Sequence, residues 1–297
     1  MTLTDLAIRT SQLSPERVRS DGGAHLGAVR LYNTLTGDRF GPEVTAATAA
    51  EVVTVAGHDL AWITAMPREL WDELPLAGHE IAPPTDCRRT ALGGAVEHLV
   101  DRHPHGAALF RTFVHGLVWV DLAEGANQTL LTSSSLPVLP YWVFVSRKSQ
   151  RHIPPNTVAQ TPSVRFLAEN LYHEAIHQVV NINLLTADVF LPEFDSATAP
   201  RIEIPWRAAG GDVRNQFWEL DRTLHAVTVY RHLLAFRAVE LDDPALSPEE
   251  RACFETAAAA GREAFEYLVG ALRHHGPPFM TQLGLDILAE SGSAPSR

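Results

Sequence analysis

Beyond residue 86 the apolar positions change period twice, and the changes mark out elements. In "TALGGAVEHLVDRH" Leu92, Val96 and Leu99 fall on one side, as they do on a helix. Between residues 117 and 147 the period becomes extended, in "LVWVDL", "QTLLTSSS" and "YWVFVSR", interrupted by Gly125-Ala126-Asn127, Pro137 and Pro140. These segments predict a small, mostly antiparallel sheet. After "RHIPPNTVAQ" the helical period returns, with Thr161 as N-cap and Pro162 at the first helical position, and it runs to about residue 183. A second long helix is expected from Phe217 to Val239. A third opens on the capping-box pattern Ser247-Pro248-Glu249-Glu250 and stops at Gly276-Pro277-Pro278, and a short fourth covers roughly 279 to 290.

Residues 1 to 86 read as a helical and irregular N-terminal region packed on the main body, with helix starts at "LSPERV" and "MPRELWDEL" and Pro83-Pro84 as a separator. Residues 87 to 297 then form the catalytic region, with "ESGSAPSR" as a frayed tail. Helices, a small sheet, one long helix and further helices, in that order, predict an α+β fold that is mainly helical.

Composition narrows the function classes. A chain of 297 residues with 45% hydrophobic and 20% charged residues can bury a core without disulfides or a structural metal. Its net charge of −11 argues against nucleic acid and anionic membrane as partners. The short basic run Arg147-Lys148-Ser149-Gln150-Arg151 reads as a solvated loop. "MTLTDLAIRT" lacks a signal-peptide pattern, and no run of about 18 apolar residues occurs. The two cysteines, Cys87 and Cys253, form no CxxC pair. A cytoplasmic protein is the expectation.

Within the first long helix, "LYHEAIHQ" carries His173, Glu174 and His177 in the order His-Glu-x-x-His. Residues i and i+4 lie one turn apart on one helix face, so two imidazoles can serve one cation, and with the small sheet ahead of this helix the expectation is a zincin-like arrangement. Asn170 and Asn181 extend the polar line, while Phe166, Leu167, Leu171, Ile176, Val180 and Leu184 supply core. The competing reading is a pair of core histidines with hydrogen-bond partners.

Zinc and non-haem iron both ask for a third protein ligand. The metzincin continuation is excluded, because Val180 and Asn183 stand where its Gly and His would. The thermolysin-like continuation wants a helical Glu followed by an acid. Glu203 lies in the extended "RIEIPW", and Glu219 has no acid four residues later. The second long helix offers Asp221 and His225 at i and i+4, with His232 seven residues further on. His225 is the preferred third ligand, and Asp221 and Glu219 are the alternatives.

"LYHEAIHQ", "NINLL", "IPWR" and "LHAVTVY", with "SSSLPVLPYWVFVS" before them, together resemble the HExxH-motif proteins found beside ribosomally made peptide natural products. That family is associated with iron(II)- and 2-oxoglutarate-dependent peptide β-hydroxylation. The likeness covers about residues 130 to 240. Here "PWRAAGGDVRNQ" is a longer, glycine-containing link than the family's, with Arg214 as a stand-in for the family's second Arg.

The resemblance implies Fe(II) held by His173, His177 and a second-helix residue such as His225, with 2-oxoglutarate as bidentate co-substrate and a peptide or amino-acid-like substrate. It also implies a guanidinium for the far carboxylate of 2-oxoglutarate, with Arg207 first and Arg231 next. Glu174 is the candidate catalytic residue that divides the enzyme classes. In a zinc peptidase it is the general base acting on water, whereas in the iron enzyme it orients a ligand or water. A zinc-dependent hydrolase and a non-catalytic binding protein with a degenerate site remain the alternatives.

Ser133-Ser134-Ser135 lacks a nucleophile-elbow pattern, and the glycine pairs at 22 to 23, 93 to 94 and 210 to 211 lack a nucleotide-binding one. His103 with His105, and His274 with His275, read as helix ends.

Overall fold

A computed structural model describes residues 47–136, 139–155, 157–209 and 215–291. The "LSPERV" helix start, the glycine pairs at 22 to 23 and 210 to 211, Arg214 and the tail beyond 291 lie outside the described residues.

Strands β1 (Ala49–Val55) and β2 (His58–Ala65) form an antiparallel hairpin closed by Ala56 and Gly57, whose φ angles of 46° and 73° are both left-handed. Both turn positions need positive φ for the turn to follow the twist of the strands. A short helix α1 (Arg68–Trp71) leads to β3 (His79–Ile81). The stretch from 49 to 81 is therefore largely strand, which corrects the helical and irregular reading of that region. The residues themselves give the reason: Val53 and Val55 face inward while Thr54 between them faces out, the period-2 pattern of a half-buried strand.

Helices α2 (Asp86–Arg102) and α3 (Pro104–Phe113) follow, then β4 (Gly116–Leu122), β5 (Ser133–Leu136) and β6 (Leu139–Val145). The sheet runs β1-β2-β4-β6-β5, and β3 pairs with β4 beyond the end of β2. The pairs β1/β2, β3/β4 and β5/β6 are antiparallel, but β2/β4 and β4/β6 are parallel. The sheet is mixed, a correction to the mostly antiparallel expectation. Parallel neighbours need crossover connections, and the α2–α3 passage supplies the one between β2 and β4.

A two-stranded antiparallel hairpin, β7 (His152–Ile153) with β8 (Thr157–Val158), leads from the sheet into the long helix α4 (Val164–Thr186). Both sheet faces are covered, so β4 and β6 are near-continuous apolar runs. Trp62, Trp119, Val143 and Val145 pack beneath α2, α3 and α4, and the Trp62 and Trp119 rings stack at 5.6 Å. Ile63, Val118, Trp142 and Phe144 pack on the other face against Leu70, Leu74 and Leu76. At Gly116 a Cβ would stand 2.5 Å from Trp142 Cδ1, so only glycine permits this β4–β6 approach.

Helix α4 begins two residues later than expected. Ser163 is its N-cap, accepting from the Arg165 N–H, while the Thr161 N–H is taken by Glu249. After α4 come β9 (Ile202–Glu203), a short α5 (Pro205–Ala209) and β10 (Phe217–Trp218), which pairs with β9. Helix α6 (Leu220–Leu241) therefore starts after "FW" rather than at it. Helix α7 (Pro248–His275) carries the expected capping box from Ser247 and Glu250, and α8 (Gln282–Ser291) is the last described helix. A second core joins α6, α7 and α8 through Leu224 and Val227, Leu268 and Leu272, and Ile287 and Leu288. The fold is mixed α and β and mainly helical. Among the described residues no helix is long and apolar enough to cross a membrane.

Candidate metal centre

Helix α4 lies between the sheet and α6, and its polar residues divide into two lines at i, i+4, i+8 spacing. Asn170, Glu174 and Gln178 face the sheet side. Asn170 Nδ2 shares its two N–H bonds among the carbonyls of His152, Phe166 and Ser149, at 2.8, 2.8 and 3.0 Å. Gln178 donates to the Trp142 carbonyl at 2.7 Å and accepts the Tyr141 N–H at 2.9 Å. It thus holds β6 where Tyr141 turns to a left-handed φ of 66°.

Glu174 is buried. Its Oε1 accepts from Ser133 Oγ on β5 at 2.6 Å, and Oε2 has no hydrogen-bond partner among the described residues. Burial pushes its carboxyl up to about 7 against the opposing hydroxyls of Ser133 and Ser135, of which only Ser133 stands in hydrogen-bond geometry.

Glu169, His173 and His177 form the other line, towards α6. His177 Nε2 lies 2.8 Å from His173 Nε2, and His177 Nδ1 lies 2.5 Å from His225 Nε2. The structure therefore brings His173, His177 and His225 together, with His177 in the middle. The three residues are half-buried. Burial lowers the proton affinity of all three, His173 to about 3, His225 to about 4 and His177 well below its ordinary value. Neutral imidazoles offer the lone pairs a metal needs.

The nitrogens form a chain rather than a three-cornered cage, because His177 turns a different nitrogen to each neighbour. A half-turn of its ring exchanges Nε2 with Cε1, the vertex between those two nitrogens, and aims Nε2 at the gap between His173 and His225. The residues fit a metal in this sense, and two buried atoms without a hydrogen-bond partner among the described residues agree: His173 Nδ1 and, one turn before His225 on α6, Asp221 Oδ1. Buried polar atoms without partners are uncommon in folded proteins and ask for an explanation.

Three other candidate donors have partners of their own. Glu219 is the N-cap of α6 and pairs with Arg201 at 3.3 Å. Glu203 accepts from Gln216 at 3.1 Å. His232 bonds the Tyr172 hydroxyl at 2.8 Å and stacks on His105. Arg207 is exposed on α5, and its charge acts on Tyr230, whereas Arg231 is partly buried and acts on His232. A cavity of about 590 Å³ lies on the opposite side of the sheet, lined by Met66, Trp71, Leu74, His79 and Ile81, and shares no residue with the histidines.

Sequence reasoning misses the group behind His173. Arg237 and Glu169 are both fully buried and paired at 2.5 Å, and Arg237 also donates to the carbonyls of Ala257 (2.8 Å) and Pro154 (2.5 Å). Local sequence carries no signal for a partner 68 positions away. Compared with known proteins, the chain matches no family model and no curated sequence.

The buried histidines make stability depend on pH. Burial lowers His152, His225 and His232 to about 4 and His173 to about 3 in the folded chain, from 6.5. Their contribution is present above pH 6.5 and is lost as pH falls towards 4, because the unfolded chain takes up protons first. Glu174 acts in the opposite sense between about 7 and 4.5 and offsets part of this. At about 1.4 kcal/mol per unit the net loss amounts to several kcal/mol. Metal-stripped protein should melt roughly 10 °C lower at pH 5 than at pH 7.5. Equal melting temperatures would mean that these rings are not buried neutral.

Proposed function

We propose that this chain is an iron(II)- and 2-oxoglutarate-dependent oxygenase that hydroxylates an unactivated C–H of a peptide or amino-acid-like unit in natural-product biosynthesis. The observation that carries the reading is the meeting of His177 with His173 from its own helix and His225 from the next. Iron with its co-substrate would supply the oxidising chemistry. The chain supplies neutral imidazoles at His173 and His177, a third donor from α6, and a Glu174 carboxyl held to β5 by Ser133. The Arg207 guanidinium is assigned to the far carboxylate of 2-oxoglutarate. R207A should raise the 2-oxoglutarate concentration needed for half-maximal turnover about tenfold or more, and an unchanged requirement removes that role.

The third donor is tested on α6. H225A should weaken metal binding by at least roughly 100-fold if His225 is a ligand. If D221N has that effect and H225A a smaller one, Asp221 is the carboxylate of a two-His, one-carboxylate set and His225 orients His177.

One observation favours a second reading, a zinc hydrolase: Glu174 keeps a spare buried oxygen and a proton affinity near neutrality, as a general base requires. Protein loaded anaerobically with Fe(II) is then supplied with O₂ and assayed for succinate formation from 2-oxoglutarate, and zinc-loaded protein is assayed for peptide cleavage. Succinate that persists in E174Q supports the oxygenase. Cleavage abolished in E174Q with zinc retained supports the hydrolase, and no bound metal in either assay leaves a non-catalytic binding protein.

A further inference from the structure

A second set of metal-ligand side chains stands apart from the α4 histidines. It joins His98 on α2, His103 at the α2–α3 junction and Glu240 on α6. On an unbroken helix residues five apart lie about 140° apart and face different sides. Here α2 stops at Arg102 and Pro104 opens α3, so the chain breaks at His103 (φ −132°, ψ 65°) and the two rings converge. His98 Nε2 stands 2.7 Å and His103 Nε2 2.5 Å from the same carboxylate oxygen, Oε1 of Glu240.

Glu240 is fully buried, and the His98 and His103 side chains are 13% and 6% exposed. The His103 ring lies flat on Phe236 at 3.8 Å, which fixes the aim of its nitrogen. Glu240 Oε2 accepts from Arg165 at 2.6 Å. Arg165 is divided among three carboxylates, since it also bonds Asp243 at 2.8 Å and stands 4.0 Å from Glu250.

We propose that His98, His103 and Glu240 form a structural site for a divalent cation of the zinc class, tying α2 to α6. The donor set, two imidazole nitrogens and one carboxylate oxygen, is one that zinc takes. The division of labour within Glu240 matches a ligating carboxylate: Oε2 is oriented by a guanidinium, as outer partners orient metal ligands, and Oε1 is left to the two imidazoles. The donors lie within 4.8 Å of one another. Zinc bonds of about 2.0 to 2.2 Å place tetrahedral donors about 3.3 Å apart, so each imidazole need withdraw by less than about 1 Å. His98 is the more exposed of the two, so a water that completes the set would enter beside it. The site shares no ligand with the α4 histidines and does not depend on the activity proposed for them.

The test uses the full chain with His173 and His177 both replaced by alanine, so that the first centre is gone. Co²⁺ is the probe, read by its visible d–d absorption and by metal content after desalting, with Zn²⁺ as competitor. The expected result is one retained equivalent with tetrahedral bands, displaced by Zn²⁺, and a melting temperature that rises with Zn²⁺. Adding H98Q or H103Q should abolish the bands and lower Zn²⁺ affinity by more than roughly 100-fold. If H103Q fails to fold, H98Q at the more exposed position decides. Retention of no cobalt, or cobalt binding unchanged by H98Q, would overturn the proposal and leave the cluster as a hydrogen-bonded clasp.

Discussion

H173A and H177A should each bind metal at least roughly 100-fold more weakly than the parent chain and lose turnover with it. Each removes a nitrogen from a group in which His177 touches both of its neighbours, at 2.8 and 2.5 Å. The folded chain should survive, because both residues are only half-buried and losing a neutral imidazole strands no charge. H177A should be the more severe, since it also leaves His225 without the nitrogen it faces. Metal content and circular dichroism on the same samples separate loss of the site from loss of the fold. Metal retained by both variants would remove the site assignment.

R237A should destabilise the fold more than any of the histidine substitutions. It leaves the Glu169 carboxylate fully buried without its cation and frees the carbonyls of Ala257 and Pro154 that the guanidinium now satisfies. Breaking a buried pair from one side costs about 3 to 5 kcal/mol, because the remaining charge is uncompensated. That corresponds to a melting temperature lower by roughly 10 °C for a chain of this size. Replacing both partners by methionine should cost clearly less, since no charge is then stranded. Glu169 lies one turn before His173 on α4, and its pair with Arg237 locks that helix to α6 and α7, so R237A should also loosen metal binding. A melting temperature within about 1 °C of the parent, a threshold of about 0.3 kcal/mol, would contradict the role given to this pair.

The parts legible in the sequence are those set by local periodicity and local hydrogen bonds. The His173–His177 spacing, the Ser247–Glu250 capping box and the apolar runs of β4 and β6 follow from rules that act within a few residues. The β1–β2 hairpin is obscured because its first strand opens on alanines and its turn is Ala56-Gly57, without the Asn-Gly or Asp-Gly signal. Sheet order is not legible, because parallel pairing of β2 with β4 is decided by how α2 and α3 pack after a long crossover. Glu169 with Arg237, and His98 with Glu240, are joined by contacts 68 and 142 residues long in sequence, for which no local pattern exists. His225 is within reach of the sequence only because two long helices with facing polar positions are expected to pack together.

The most direct test of the proposed function is anaerobic titration of Fe(II)-loaded protein with 2-oxoglutarate, followed by visible absorption. Bidentate binding of the co-substrate to the iron should give a saturable charge-transfer band in the parent chain, absent in H173A and reached only at higher 2-oxoglutarate in R207A. Iron that binds without producing the band, or a band that persists in H173A, would contradict that function.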